Sequence, residues 1–148
     1  SRLPRAAHVF ADALDFQPVC AAALHALEAA GLAGRGDRIA SALSHGEQRQ
    51  LEIAMVLATA PDVLLLDEPL AGMGAEEAAR MVALLQELAR AHAILLVEHD
   101  MDAVFALADV ITVMVEGEVL ESGTPEQIRA STAVRRAYLG EGEAEDAQ

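Results

Sequence analysis

The chain has 148 residues, of which 53% are hydrophobic and 3% aromatic, enough for one ordinary domain with a core of Ala, Leu and Val. Its net charge of −14 argues against nucleic acid as a partner, because phosphate backbones are held by clustered cations. One cysteine, Cys20, excludes an intrachain disulfide and fits a reducing compartment; no apolar run approaches the roughly 18–20 residues that a bilayer crossing requires.

The opening "SRLPRAAHVFADAL" lacks a continuous apolar core followed by a cleavage site, so no signal peptide is expected and the chain reads as soluble. Residues 6–31 read as helical around Phe10, Leu14, Leu24 and Leu27, interrupted near Pro18 and stopped by Gly31. "GLAGRGDR" at 31–38 is a Gly-rich connector. A helix is expected from Ser44 to about Thr59, with Leu51, Ala54, Met55 and Ala58 on one face. Ile53, Val56 and Leu57 make its later half apolar nearly all round, which predicts burial on several sides.

The period then changes. "VLLL" at 63–66 is a short apolar run ending in Asp67-Glu68-Pro69, and a helix over about 75–91 carries Ala78, Met81, Val82, Leu85 and Leu88 on one stripe, with Glu76 and Glu77 at its positive end. A second run, "AILLV" at 93–97, ends in Glu98-His99-Asp100. Strand, helix and strand predict a βαβ unit whose parallel strands are buried on both faces. A short helix at about 101–108 leads to "VITVMV" and "EVLES", joined by Glu116-Gly117 as a hairpin. "TPEQ" at 124–127 starts a helix, helical segments run on to Leu139, and the acidic, aromatic-free "EGEAEDAQ" at 141–148 predicts a disordered tail.

In parallel sheets, ligands bind at the carboxyl ends of strands. Both strands here end in groups able to act on one. Strands also end in polar residues simply because they reach the surface. An Asp-Glu pair after four aliphatics is more specific: one carboxylate can hold Mg²⁺ through its water shell while its neighbour polarises an attacking water. A histidine ending the next strand is placed to donate to a terminal phosphate.

"ALSHGEQRQLEIA", 42–54, gathers Ser44, His45 and Glu47. As a hydrolytic triad it fails, because neighbours at a helix start do not aim at one another in a relay and there is no G-x-S-x-G elbow. Ser44 with Glu47 fits a capping box with no ligand at all. A helix start with small Ser44 and Gly46 also offers N–H groups and a hydroxyl to a phosphate, and the two roles are compatible. A metal hydrolase using Glu98, His99, Asp100 and His45 is disfavoured by their alternating directions and by the lack of an H-x-x-x-H pair. His8, His25 and His92 have no companions at ligand spacing and read as surface residues on helices. Cys20, without a nearby base, reads as a small packed residue.

"LSHGEQRQLEIAMVLATAPDVLLLDEP", followed by "ILLVEHD", resembles the nucleotide-binding subunit of ATP-binding-cassette (ABC) transporters. Within that superfamily, "LSHGEQ", "LAGMG" and "VMVEGEVLESGTPEQIR" resemble the ATPase subunits of branched-chain amino acid and urea-type importers. The match covers about 42–140. It implies an α/β, partial P-loop NTPase fold with parallel central strands, flanking helices and a C-terminal hairpin. Residues 1–48 would be part of the helical subdomain ending in the signature motif, 49–140 the C-terminal part of the ATPase core, and 141–148 the tail.

The resemblance also implies roles. Ser44, His45, Gly46 and Glu47 would belong to the signature motif, touching ATP held by the opposite subunit. Asp67 would serve Mg²⁺, Glu68 would orient water, and His99 would contact the γ-phosphate. Leu70, Ala71, Gly72, Met73 and Gly74 would form the D-loop. His45 and Glu47 depart from the usual spelling, and a carboxylate near phosphate needs hydrogen-bond partners or distance. Gly74 stands where many relatives carry Asp. The implied partners are a second ATPase subunit, identical or not, transmembrane permease subunits and, indirectly, a solute-binding protein. The implied location is cytoplasmic, on the inner face of the membrane.

All ten basic residues are arginine, so no G-x-x-x-x-G-K-[ST] loop can be present. The chain therefore reads as the C-terminal portion of such a subunit, inactive in ATP hydrolysis by itself. A non-catalytic interaction or regulatory module on the same scaffold is the alternative.

Overall fold

The computed structural model describes residues 16–139. The helical reading of 6–15, His8 and the acidic tail at 141–148 lie outside the described residues. The chain divides into two compact units, one up to His99 and one from Asp100.

The first unit opens with α1, Gln17–Ala29. Pro18 stands in the first turn of this helix, where a residue needs no N–H partner and the ring presets a helical φ; what precedes Phe16 lies outside the described residues. The connector that follows turns through Gly31 and Gly34, both at left-handed φ (78° and 71°). A short 3-10 turn at Ala40–Ala42 leads into α2, His45–Leu57, with Ser44 as its N-cap.

α2 packs against α1 and against α3, Ala75–Leu88. Its buried face runs through Gly46, Ile53 and Ala54. The expected face through Leu51, Ala54, Met55 and Ala58 is covered only in part: Ala54 is buried and Leu51 half-buried, while Met55 is 66% exposed and Ala58 is exposed, as is Val56. The apolar pattern nearly encircles the helix, so periodicity alone could not say which arc the two neighbouring helices would take. α3 behaves as its stripe predicts, with Met81, Leu85 and Leu88 buried.

Strands β1, Val63–Asp67, and β2, Ala93–Val97, pair in parallel across α3, Val63 opposite Ala93 and Asp67 opposite Val97. The loops entering both strands are tied together, since Ala93 N–H donates to the Asp62 carbonyl (3.1 Å) and His92 Nδ1 to the Pro61 carbonyl (2.9 Å). His92 is thus a half-buried loop residue beyond the end of α3, not a surface residue on a helix. On one face Leu64 is fully buried and Leu66, Ile94 and Leu96 are half-buried. The expectation of burial on both faces fails: Leu65 is 73% and Leu95 62% exposed. Covering both sides of a parallel pair takes layers on both sides, and among the described residues only one side is covered.

The second unit begins at α4, Met101–Leu107, capped by the Asp100 carboxylate accepting from Ala103 N–H. The hairpin of β3, Ile111–Val115, and β4, Glu118–Gly123, turns at Glu116 and Gly117, both left-handed (52° and 83°), as a two-residue hairpin turn requires. Ile111 and Val113 form a core with Ile128 of α5, Pro125–Ala130, and Val134 of α6, Thr132–Leu139. Thr124 and Gln127 complete a capping box on α5, and the Arg129 guanidinium lies 4.2 Å from the Phe105 ring centre.

Candidate functional site

The parallel register brings Asp67 and Glu68 alongside Glu98 and His99 at one end of the two strands. The ladder continues one step beyond β1, where Glu68 N–H donates to the Val97 carbonyl at 2.9 Å. Glu68 itself adopts φ +43°, a left-handed conformation that costs a non-glycine residue about 1–2 kcal/mol. The chain then turns sharply, with Ala71 N–H donating to the Glu68 carbonyl (3.1 Å) and Met73 N–H to that of Leu70 (3.2 Å). Gly72 supplies the left-handed residue this turn needs (φ 75°).

His99 Nδ1 lies 3.4 Å from Glu68 Oε1. Two side chains thirty-one positions apart, each singled out by strand ends, therefore meet. Both are largely exposed, so even with the imidazole charged the pair adds little stability. Their value is positional. Asp67 is exposed at the strand end beside them. Among the described residues no group of three or more His, Cys, Asp or Glu is arranged to hold a metal. That donor set does not suit a resident ion, but it fits a magnesium that arrives on phosphate oxygens, keeps its waters and needs one or two carboxylates from the protein.

The second cluster lies at the start of α2. Ser44 Oγ accepts from Glu47 N–H at 3.2 Å, and Glu47 Oε2 accepts from Ser44 N–H at 2.9 Å, completing the capping box. The other Glu47 oxygen pairs with Arg35 Nη2 at 3.1 Å. Both oxygens of this carboxylate therefore have partners, which is the condition that a place near phosphate would impose. Sequence reasoning missed two participants, Arg35 from the Gly-rich connector and Glu77 from α3. Glu77 Oε1 lies 3.5 Å from Ser44 Oγ and would stand 3.0 Å from a Cβ on Gly46. Gly46 is buried, and its missing side chain is what lets that carboxylate approach. Only the packing of α2 on α3 brings position 77 here; no spacing rule links it to 44. The cleft beside Ser44 and Glu77 measures about 40 Å³, space for about one water.

His45 does not engage Ser44. Its ring packs against Gly72, with Nε2 3.4 Å from where a Cβ on that glycine would sit. The 44–47 cluster and the loop at 70–74 thus touch within one chain. Gly74 is the N-cap of α3 and offers no side-chain cap; Glu76 and Glu77 in the first turn complement the helix dipole instead.

A βαβ core with an acid pair and a histidine at its strand ends, preceded by a serine-capped helix, is the arrangement expected of the fold of an ATP-binding cassette. The chain belongs to the ABC transporter family: residues 8–71 match the family described as ABC transporter, and residues 118–144 that described as branched-chain amino acid ATP-binding cassette transporter. It is similar to the high-affinity branched-chain amino acid transport ATP-binding protein LivG of Escherichia coli K12, with 48% identity over 117 residues, 78% of this chain and 46% of the relative. Similarity to BraF of Pseudomonas aeruginosa, a protein of the same description, is 45% over 121 residues, 80% and 48% of the two chains. The chain spans about half the length of the curated relatives it matches.

Solved structures agree on the fold. The ADP conformation of an ATP-binding cassette of an ABC transporter superposes with a TM-score of 0.76 at 29% identity, covering 85% of this chain and 52% of that one. CbiO1 of Clostridium perfringens, part of an ABC transporter complex, gives 0.71 at 33%, covering 79% and 47%.

Proposed function

We propose that this chain is the signature-to-C-terminal portion of an ATP-binding subunit that couples ATP hydrolysis to import, with branched-chain amino acids as the cargo class. The observation that carries this reading is the approach of His99 Nδ1 to Glu68 Oε1 at 3.4 Å across the ends of parallel strands. In it, Glu68 orients and polarises the attacking water, while His99 donates to the terminal phosphate and stands close enough to Glu68 to share that water. Asp67 would hold, through its water shell, a magnesium arriving with the nucleotide, and that ion would supply charge neutralisation. Residues 1–48 belong to a helical subdomain, 49–140 to the ATPase core and 141–148 to an acidic tail.

Ser44, His45, Gly46 and Glu47 act on a nucleotide held by a second ATPase subunit. The chain has no lysine, so the P-loop lysine must lie on sequence outside these 148 residues. The loop at Leu70–Gly74 sits at the junction of the two subunits, where His45 against Gly72 links it to the signature. Permease subunits, and through them a solute-binding protein, complete the assembly. Attachment is peripheral, at the cytoplasmic face through the permease. Among the described residues no helix is long and apolar enough to cross a membrane.

The test is Glu68→Gln in a cassette-length protein carrying this segment. Turnover should stop while an ATP-bound dimer accumulates in size-exclusion chromatography. Persistent turnover would remove Glu68 from its role. The 148-residue chain alone should turn over ATP negligibly, and robust magnesium-dependent activity surviving the same substitution would refute the division of labour.

A further inference from the structure

Glu98 follows the last residue of β2, and strand alternation turns its side chain away from the exposed face that carries Leu95 and Val97. The carboxylate is only 1% exposed. A charge taken out of water persists only where hydrogen bonds replace its hydration. Here the two oxygens divide that work between different loops. Oε1 accepts from Leu70 N–H at 3.0 Å, and Oε2 accepts from His99 N–H at 3.0 Å.

The donors lie on the two segments the proposed chemistry depends on. Leu70 opens the 70–74 loop, itself buried, two residues beyond Glu68; His99 is the neighbour of Glu98 in sequence. The contacts close a ring. Glu68 is joined through Pro69 to Leu70, Leu70 donates to Glu98, Glu98 holds the His99 amide, and His99 Nδ1 returns to Glu68 Oε1 at 3.4 Å. The Glu68 N–H bond to the Val97 carbonyl braces that ring from the strand ladder.

We propose that Glu98 is a positioning residue whose buried carboxylate binds the 70–74 loop and His99 into one mechanical unit, so that movement of the loop by a neighbouring subunit displaces His99 relative to Glu68. A fixed carboxylate spanning two amides cannot let one loop shift by an ångström without losing a bond or carrying the other with it. The functional consequence rests on the reading of Glu68 and His99 as the catalytic pair; the linkage itself rests on geometry alone.

The experiment uses the 148-residue chain with Glu98→Gln and Glu98→Ala, followed by amide hydrogen exchange and by the ¹⁵N resonance of His99 Nδ1. Glutamine is isosteric but keeps one acceptor oxygen. One of the two amides, Leu70 or His99, should therefore lose protection by about tenfold or more while the other keeps it, and alanine should release both. Unchanged protection of the Ala93 and Leu95 amides, which point at β1, reports an intact strand pair. Should the alanine variant fail to fold, the glutamine variant answers by itself. In a double-mutant cycle, Glu68→Gln should shift the His99 Nδ1 resonance in the wild-type background and lose that effect with Glu98→Gln, a result that a purely space-filling role would not produce. Retained protection of both amides, or a His99 response to Glu68→Gln indifferent to residue 98, overturns the proposal. Turnover surviving Glu68→Gln in the cassette-length protein would instead overturn the functional reading and leave the linkage standing.

Discussion

Replacing Ser44 with alanine separates what the start of α2 needs for folding from what it offers to a phosphate. Ser44 Oγ accepts from Glu47 N–H at 3.2 Å, so alanine leaves one first-turn donor without its protein partner. Losing an N-cap hydroxyl costs about 1 kcal/mol, within a range of roughly 0.5–2. The other half of the box survives, since Glu47 Oε2 takes the backbone N–H of residue 44 at 2.9 Å, whatever the side chain there. The contact to Glu77 Oε1, exposed and at 3.5 Å, adds little. A loss of about 1 kcal/mol corresponds to a fall in Tm of about 2–4 °C for a chain of this size, read by circular dichroism. Ser44→Asn restores a side-chain oxygen acceptor and should return stability to within a few tenths of a kcal/mol of wild type. It does not restore the hydroxyl, so its weakened support of ATP-driven dimerisation in a cassette-length protein should resemble that of the alanine variant. If Asn costs as much stability as Ala, the capping argument is wrong. If Asn supports dimerisation as serine does, the hydroxyl does not contact the nucleotide.

The two faces of the β1–β2 pair should respond oppositely to substitution. Leu64→Ala empties a site of 0% exposure and should cost about 2–5 kcal/mol in urea denaturation, whereas Leu65→Thr at 73% exposure should fall within about 0.5 kcal/mol of wild type. Comparable losses at both would mean that the Leu65 face is covered in this chain. In the second unit, Glu126 has its pKa lowered by its backbone hydrogen bond and by the Thr124 hydroxyl, with Arg129 contributing last. A depressed folded-state pKa gives stability that is present above the unfolded value and lost as pH falls through the folded one. Stability of α5, followed by amide exchange, should therefore decline through the acidic carboxylate range in wild type and decline less steeply in Glu126→Gln; identical profiles would refute that origin.

Local signals carried much of the fold. The change from helical to strand period at Val63 and Ala93 located both strands, and the Glu116-Gly117 pair located the hairpin turn, because these depend on neighbours a few residues away. Pro18 marked a helix boundary for the same reason: the restrictions that break a helix interior also make a good first turn, and α1 starts beside it. His92 could not be read, since its partner, the Pro61 carbonyl, lies thirty-one positions away. The buried arc of α2 was equally hidden, because a helix apolar nearly all round does not say which side its neighbours take.

The sequence by itself determined the chemical vocabulary of the site: an acid pair and a histidine ending two parallel strands, a serine fit to cap a helix, and no lysine anywhere. These follow from residue type and from spacing within a single element. Only the tertiary structure decided which groups meet. The parallel register sets His99 3.4 Å from Glu68, the packing of α2 on α3 brings Glu77 to Ser44 and Gly46, and the return of the chain after β1 places the Leu70 amide on Glu98. Each of those contacts joins segments twenty-eight or more positions apart, and such distances are bridged by burial and backbone pairing across elements, which no local pattern encodes.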